Sequence, residues 1–298
     1  MCNVAITRFA TATAALDERA VRGFVSETGA PDALVAAALR SARLPGAVAT
    51  VTSDYPAGAG LGGSSACGVA VAGALAALRG EELSLAELAA RSRETEVEEM
   101  RVVGGFQDHY AAAFGGALLL TFSDCVGVEL LALPTDCADA LARRGVLLYT
   151  GESRLSGNIV GAVRDAYERG DARTCTSLAR MKSLAGEMAA ALRAGDLDAL
   201  GRLVGEHWVH QRALHPSITT PRIDAIVDAA AHAGALGVKA LGASGGGCVI
   251  AIAEDGREDE LASALAAYGE RLSYAVDSQG FQIVAMLEDI DTHVEDEA

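Results

Sequence analysis

Apolar and polar positions change their period several times along the chain, and each change marks an element. Positions 47–53, "AVATVTS", carry β-branched residues at strand spacing, and positions 4–16, "VAITRFATATAAL", read the same way. A glycine stretch at positions 56–68, "PAGAGLGGSSACG", then opens a helix rich in alanine and valine that runs to about Arg79, with Gly80 as its stop. "SLAE" at 84–87 is a capping box and starts the next helix, which carries "ARSRETEVEEM". "GALLLTF" (116–122) and "GVLLYT" (145–150) are apolar runs of strand length. Positions 156–214 are helical by pattern, broken near Gly170 and at "AGD", 194–196. "CVIAIA" (248–253), a helix from about Asp259 and the apolar run "GFQIVAML" (280–287) close the pattern, ahead of an acidic tail expected to fray.

No fixed-period repeat is visible. Proline and charge interrupt two strand runs at "LPTDCADALARRG", 133–145, which places a domain boundary there. The expected organisation is an α/β half, residues 1–143, followed by a helix-rich half with some strands, residues 144–298.

Composition narrows the chemistry. The 298 residues are 51% hydrophobic but only 4% aromatic, so the core is built from Ala, Val and Leu. Lys+Arg total 24 against 40 Asp+Glu, a net charge of -16. That field repels a nucleic-acid backbone, yet leaves room for a small phosphorylated ligand met by local dipoles. The only lysines are Lys182 and Lys239, so arginine carries most cationic work. The six cysteines show no C-x-x-C pair, which argues against a metal or disulfide framework. "MCNVAITRF" has no signal-peptide pattern, and apolar runs such as 69–78 are too short for a bilayer. A reduced, cytoplasmic protein without membrane or nucleic-acid partners is expected.

Strand, glycine turn and helix in that order point to a phosphate site, because turn N–H groups and the positive helix end converge on one point, with a tight turn whose glycines serve helix–strand packing as the alternative. Gly58, Gly60, Gly62 and Gly63 admit a phosphate close to the backbone, and Ser64 and Ser65 add hydroxyls able to reach magnesium. The spelling fits neither G-x-x-x-x-G-K-[ST] nor a dinucleotide fingerprint. A second cluster, "KALGASGGGCVIAI" at 239–252, leads from Gly242, Gly245, Gly246 and Gly247 into a strand. Two such loops, one in each half, suggest a polyphosphate held between two lobes. The third element is "GGFQDHYAAAFGG", 104–116, where Asp108 stands among Gln107, His109 and Tyr110 before a buried strand. Packed polar side chains there need partners or a ligand. Upstream, Glu94, Glu96, Glu98 and Glu99 are mostly a solvated face, although Glu96 and Glu99 lie on adjacent helix rows and one of them can turn inward to a metal. In "EHWVH", His207 and His210 share a helix face without a third ligand at zinc spacing, and Trp208 reads as a core anchor.

Together "PAGAGLGGSSA", "GGFQDHYAAAFGG" and "GVKALGASGGGCVI" resemble the GHMP kinase superfamily of galactokinase, homoserine kinase and mevalonate kinase. "QDHYAAAFGG", "YTGESR" and "EHWVHQRAL" are most similar to its heptose 7-phosphate kinase subgroup. The resemblance implies an α+β, two-domain fold: a ribosomal S5-like N-terminal domain and a ferredoxin-like C-terminal domain elaborated with helices. It implies that Pro56, Gly58, Ala59, Gly60, Leu61, Gly62, Gly63, Ser64 and Ser65 wrap the ATP phosphates, and that Gly242, Gly245, Gly246 and Gly247 close over them. Ser64 and Glu96 match the magnesium ligands, and Asp108 matches the aspartate that orients or deprotonates the acceptor hydroxyl. Gln107, His109 and Tyr110 fall to the substrate, and Arg154 in "TGESR" is assigned to the far phosphate of a sugar phosphate, whose oxygens a guanidinium fork fits. The implied reaction is ATP-dependent phosphorylation of a sugar hydroxyl. The implied acceptor is the anomeric hydroxyl of a heptose 7-phosphate or a related sugar phosphate, with a homodimer left open.

The chain departs from that pattern in places. Family members begin with an R-x-P-x-R type segment, and "MCNVAITRFATATAAL" matches the strands after it. The position before Gln107, basic in the subgroup, is Phe106, and motif positions shift to Gly63 and Ser244. Another small-molecule kinase of the superfamily, or a catalytically weak ATP- or sugar-binding sensor, are the alternatives.

Overall fold

The computed structural model describes residues 1–17, 33–100, 104–152 and 157–284. The first half runs β1 (Cys2–Val4), β2 (Ala10–Leu16), α1 (Ala33–Ala42), β3 (Ala47–Ser53), α2 (Gly63–Leu78) and α3 (Leu85–Glu94). A π-helical turn (Thr95–Glu99) leads to α4 (Gln107–Phe114), β4 (Ala117–Phe122), β5 (Val126–Leu130) and α5 (Cys137–Arg144). The second half continues with β6 (Gly145–Tyr149), α6 (Gly157–Glu168), α7 (Ala172–Ala194), α8 (Leu197–Ala213) and α9 (Pro221–His232). It ends with β7 (Ala235–Ala240), β8 (Cys248–Ala253), α10 (Glu258–Leu265) and β9 (Glu270–Arg271).

The glycine-led helix is the centre of the first half. Its apolar residues occupy every face, which is the pattern of a helix buried all round. Val71 and Leu75 pack with Val35 and Ala38 of α1 and Ala49 of β3, under the β2–β3 pair. Val69 and Ala72 pack on the other side with Leu88, Tyr110, Ala113, Leu118 and Leu120. Ser84 caps α3 as the sequence predicts: its hydroxyl accepts from the Glu87 N–H while the Glu87 carboxylate accepts from the Ser84 N–H. A cap of this kind is worth about 1 kcal/mol.

All strand pairs among the described residues are antiparallel, in the orders β1-β4-β5, β2-β3 and β7-β8-β6-β9. The last sheet is covered by α9 and α10, whose Ile223, Ile226, Leu261 and Leu265 bury against Val146, Leu148, Val238 and Val249. Trp208 anchors this core at 3% exposure. Among the described residues no helix is long and apolar enough to cross a membrane.

At 133–145, where the sequence places a domain boundary, α5 turns Cys137 and Leu141 at i, i+4 into a core shared with Met188, Leu192 and Leu200. Buried Arg144 closes the helix, with its guanidinium donating to the Ala253 carbonyl at 3.0 and 2.8 Å and to Asp198 at 2.5 Å. The run beginning at Gly280 also does more than close the chain. After β9 the backbone returns to the first half, where Ala275 accepts from Thr7 N–H at 2.9 Å and Asp277 N–H donates to Ala5 at 3.0 Å. Phe281 N–H donates to Ala113 at 3.0 Å and its ring lies against Gly73 of α2. The two halves therefore share core and backbone pairing across position 143.

Candidate active site

Gly62 sets the geometry. It stands at the N-terminus of α2 with φ 75° and ψ 20°, and no side chain caps the helix. The first N–H groups of a helix lack intrahelical acceptors, and their dipoles make this end positive. A Cβ on Gly62 would lie 2.9 Å from Cβ and 3.0 Å from Cγ of Asp108, so the aspartate is packed directly against the glycine turn. The second glycine-rich loop meets the first from the other half. A Cβ on Gly60 would lie 3.0 Å from the Leu241 carbonyl oxygen, and one on Gly242 would lie 3.0 Å from Gly60 Cα. The Cys248 N–H donates to the Ala59 carbonyl at 2.7 Å, which pins the two loops backbone to backbone.

In the acidic run Glu94 and Glu98 are exposed, whereas Glu96 is buried, at 8% exposure. It sits on the π-helical turn, a geometry that recurs at functional sites. Ser64 Oγ donates to its Oε1 at 2.9 Å, and His109 Nε2 lies 3.0 Å from its Oε2. The His109 bond holds the Glu96 carboxyl below its ordinary value against desolvation, with Ser64 adding to the effect. Asp108 moves the other way. Burial pushes its carboxyl up, the neighbouring His109 opposes this, and the Glu96 charge adds to the rise. Two adjacent carboxylates with opposed shifts divide the labour of a site: one stays charged and the other can take a proton.

Gln107 donates from Nε2 to Asp108 Oδ2 at 3.4 Å, and its backbone oxygen accepts from Asn3 Nδ2 at 3.0 Å. His109 and Tyr110, expected at the substrate, are placed differently. Both lie on the inner side of α4, at 1% and 6% exposure, where Tyr110 stacks on Phe114 and His109 spends both ring nitrogens on protein partners. Arg154 lies outside the described residues. Where the subgroup carries a basic residue, the Phe106 ring holds the Arg93 guanidinium 3.7 Å from its centroid, a cation–π contact.

Sequence reading passed over three residues that shape the loops. The Tyr55 hydroxyl donates to the Gly63 carbonyl at 2.8 Å and so fixes the first turn of α2. Ser92, at i−4 from Glu96 on the same helical run, bonds His109, and that spacing was the available signal. Gln211 supports the second loop, donating to the Gly242 carbonyl at 3.2 Å and Ser244 Oγ at 2.9 Å. Ser244 has φ 68°, a left-handed conformation costing a non-glycine residue about 1–2 kcal/mol. The Gln211 bond offsets that strain. Ser244→Ala keeps the strain and loses the bond, so urea unfolding should show it about 1 kcal/mol less stable than the parent. Ser244→Gly loses both and should stay near the parent. A glycine variant weaker than the alanine variant would contradict this balance.

Comparison with known proteins bears on these loops. Residues 29–116 match the GHMP kinases N terminal domain, and residues 188–271 match the GHMP kinases C terminal family. A D-glycero-alpha-D-manno-heptose 7-phosphate kinase of Campylobacter jejuni subsp. jejuni is 31% identical over 220 residues, 72% of this chain and 63% of that enzyme. The aligned part is thus less than two thirds of that enzyme's length. A mevalonate kinase of Thermococcus onnurineus is 32% identical over 249 residues, 81% of this chain and 70% of that enzyme. The crystal structure of a D-glycero-D-manno-heptose 1-phosphate kinase from Bacteriodes thetaiotaomicron superposes with a TM-score of 0.71, covering 96% of this chain and 90% of that one. At 23% identity that likeness speaks for the fold.

Proposed function

The chain belongs to the GHMP kinase family, with its two-domain α+β fold, and from that premise we propose that it transfers the γ-phosphoryl group of ATP to a sugar hydroxyl. The acceptor we propose is the anomeric hydroxyl of a heptose 7-phosphate or a related sugar phosphate. One observation carries the reading: the half-buried Asp108 carboxyl packs on Gly62 at the uncapped start of α2, close enough to the Ser64–Glu96 pair to feel the Glu96 charge.

The N–H groups of the Gly62 turn and of the first turn of α2 receive the phosphates, and the Gly242–Gly60 contact brings the second loop to the same place. Phosphoryl transfer asks for positioning and charge stabilisation more than for covalent help. The acceptor oxygen forms a bond to the γ-phosphorus, the bond to the ADP oxygen breaks, and the hydroxyl proton passes to Asp108. A carboxylate raised by burial is better matched to hold that proton. Ser64 and Glu96 suit magnesium: they present hard oxygen donors 2.9 Å apart, and Glu96 is kept ionised. Magnesium held there would offset negative charge on the β- and γ-phosphates. Arg154 remains our assignment for the far phosphate of the sugar.

The likeness to a mevalonate kinase favours a second reading, a family kinase with a different alcohol as acceptor. ADP release measured with heptose 7-phosphate, galactose, homoserine and mevalonate separates the two. The first reading gives the highest kcat/KM with the heptose phosphate. Preference for mevalonate or homoserine would replace the acceptor and keep the kinase. ATP binding without acceptor-dependent ADP release from any of them would leave a sensor.

A further inference from the structure

We propose that His109 is the positioning residue of this site: its imidazole fixes the Glu96 carboxylate toward Ser64, while its place in α4 holds Asp108 one residue earlier. The metal ligand and the proton acceptor are thereby set as one unit. The inference rests on the kinase reading above for what that unit does, and on side-chain geometry for the unit itself.

The His109 ring is 1% exposed and has three polar neighbours. Nε2 lies 3.0 Å from Glu96 Oε2 and 3.3 Å from Ser65 Oγ, and Nδ1 lies 2.9 Å from Ser92 Oγ. An ionised carboxylate only accepts, so Nε2 carries the proton and donates to Glu96. Nδ1 shares a hydrogen bond with the Ser92 hydroxyl on the opposite side of the ring. Ser92 packs closely on Gly68, where a Cβ would run into Ser92 Oγ. The contacts make a closed circuit: Gly68 packs on Ser92, Ser92 hydrogen-bonds His109, His109 donates to Glu96, and Ser64 donates to Glu96. Ser64 and Gly68 are one turn apart on α2, so the circuit begins and ends on the phosphate-loop helix after crossing α3 and α4.

A histidine that only filled space would not need this arrangement. Glu96 has two oxygens and two side-chain donors, Ser64 on one and His109 on the other. Once Ser64 turns to a metal, His109 is the side-chain donor still fixing the carboxylate plane. Groups of this kind are worth about 10–100-fold in metal affinity. Asp108 shares the backbone of the same first turn of α4, so a loosened His109 also loosens Asp108 against Gly62.

The test compares His109→Gln, whose amide can still donate to Glu96, with His109→Leu, which packs without a donor. Mn²⁺ binding in the presence of ATP, followed by electron paramagnetic resonance, is read beside steady-state kinetics and the metal-free melting temperature. His109→Leu should raise the Mn²⁺ dissociation constant by about 10–100-fold and lower kcat with the acceptor KM nearly unchanged. His109→Gln should restore most of both. A folded His109→Leu binding Mn²⁺ as tightly as the parent overturns the proposal, and so do equal losses in the two variants. If His109→Leu fails to fold, Ser92→Ala carries the test by removing the Nδ1 partner: a weaker shift in Mn²⁺ affinity supports the role, and none overturns it. A parent that shows the Mn²⁺ effects but no acceptor-dependent ADP release would sink the kinase reading and leave the positioning role standing.

Discussion

Asp108→Asn is expected to lower turnover by roughly two to four orders of magnitude, the usual contribution of a positioned acid–base group. The substitution keeps the size of the side chain and a hydrogen bond to an acceptor hydroxyl, but it removes the site that takes the proton. Nucleotide affinity should hardly move, because the phosphates are assigned to backbone N–H groups of the two loops and to the metal on Ser64 and Glu96. Burial also predicts a pH signature. With its carboxyl raised above the ordinary aspartate value, Asp108 becomes protonated at a higher pH than an exposed aspartate. The acid limb of kcat/KM, which reports the free enzyme, should therefore lie above the ordinary aspartate range in the parent and vanish in the asparagine variant. Full activity in Asp108→Asn on the best acceptor would remove the aspartate from the chemistry.

Gly62→Ala is expected to have an effect of similar size for a different reason. A methyl at this position meets Asp108 Cβ at 2.9 Å and Cγ at 3.0 Å, on a backbone with φ 75° that alanine adopts only under strain. Something must shift, and both candidates are functional: the turn that receives phosphate and the aspartate beside it. A misplacement of about 1 Å in such a site costs on the order of 10²-fold in rate. Nucleotide affinity should fall as well, which separates this variant from Asp108→Asn. Gly80→Ala is the control. Gly80 has φ 66° at the other end of α2, and open space extends 4 Å around the place a methyl group would take. It should lose stability by about 1–2 kcal/mol and keep its kinetics. Equal kinetic losses in the two variants would mean that backbone strain, and not the contact with Asp108, is responsible.

Much of this was legible in the chain, because the signals were local. The glycine turn, the capping box at Ser84 and the breaks at Gly170 and 194–196 each depend on neighbours a few residues apart, and each appears where the pattern puts it. The loops at Gly60 and Gly242 were singled out as a pair by their glycine content, and the structure brings them into backbone contact. What was not legible depends on distance in sequence. Charge and proline around 133–145 hid an amphipathic helix whose buried face is only two residues and an arginine stem. Nothing near Phe281 announces that it returns to α2, because the pairing of residues 5–7 with 275–277 spans the whole chain. The same holds inside the site. Spacing alone left Glu96 and Glu99 as candidates and only the family resemblance chose Glu96, whereas in the structure Ser64 and His109 from other helices hold it. His109 itself looked like a substrate contact for its position beside Asp108. Helical geometry turns adjacent residues about 100° apart, and the histidine goes to the interior.

The most direct measurement is ³¹P NMR of the protein incubated with ATP, magnesium and heptose 7-phosphate. The proposed chemistry gives a new anomeric sugar-phosphate resonance growing in step with ADP, fast with the parent and nearly abolished with Asp108→Asn. ADP formed at the same rate without the sugar, or a sugar product formed equally well by Asp108→Asn, would contradict it.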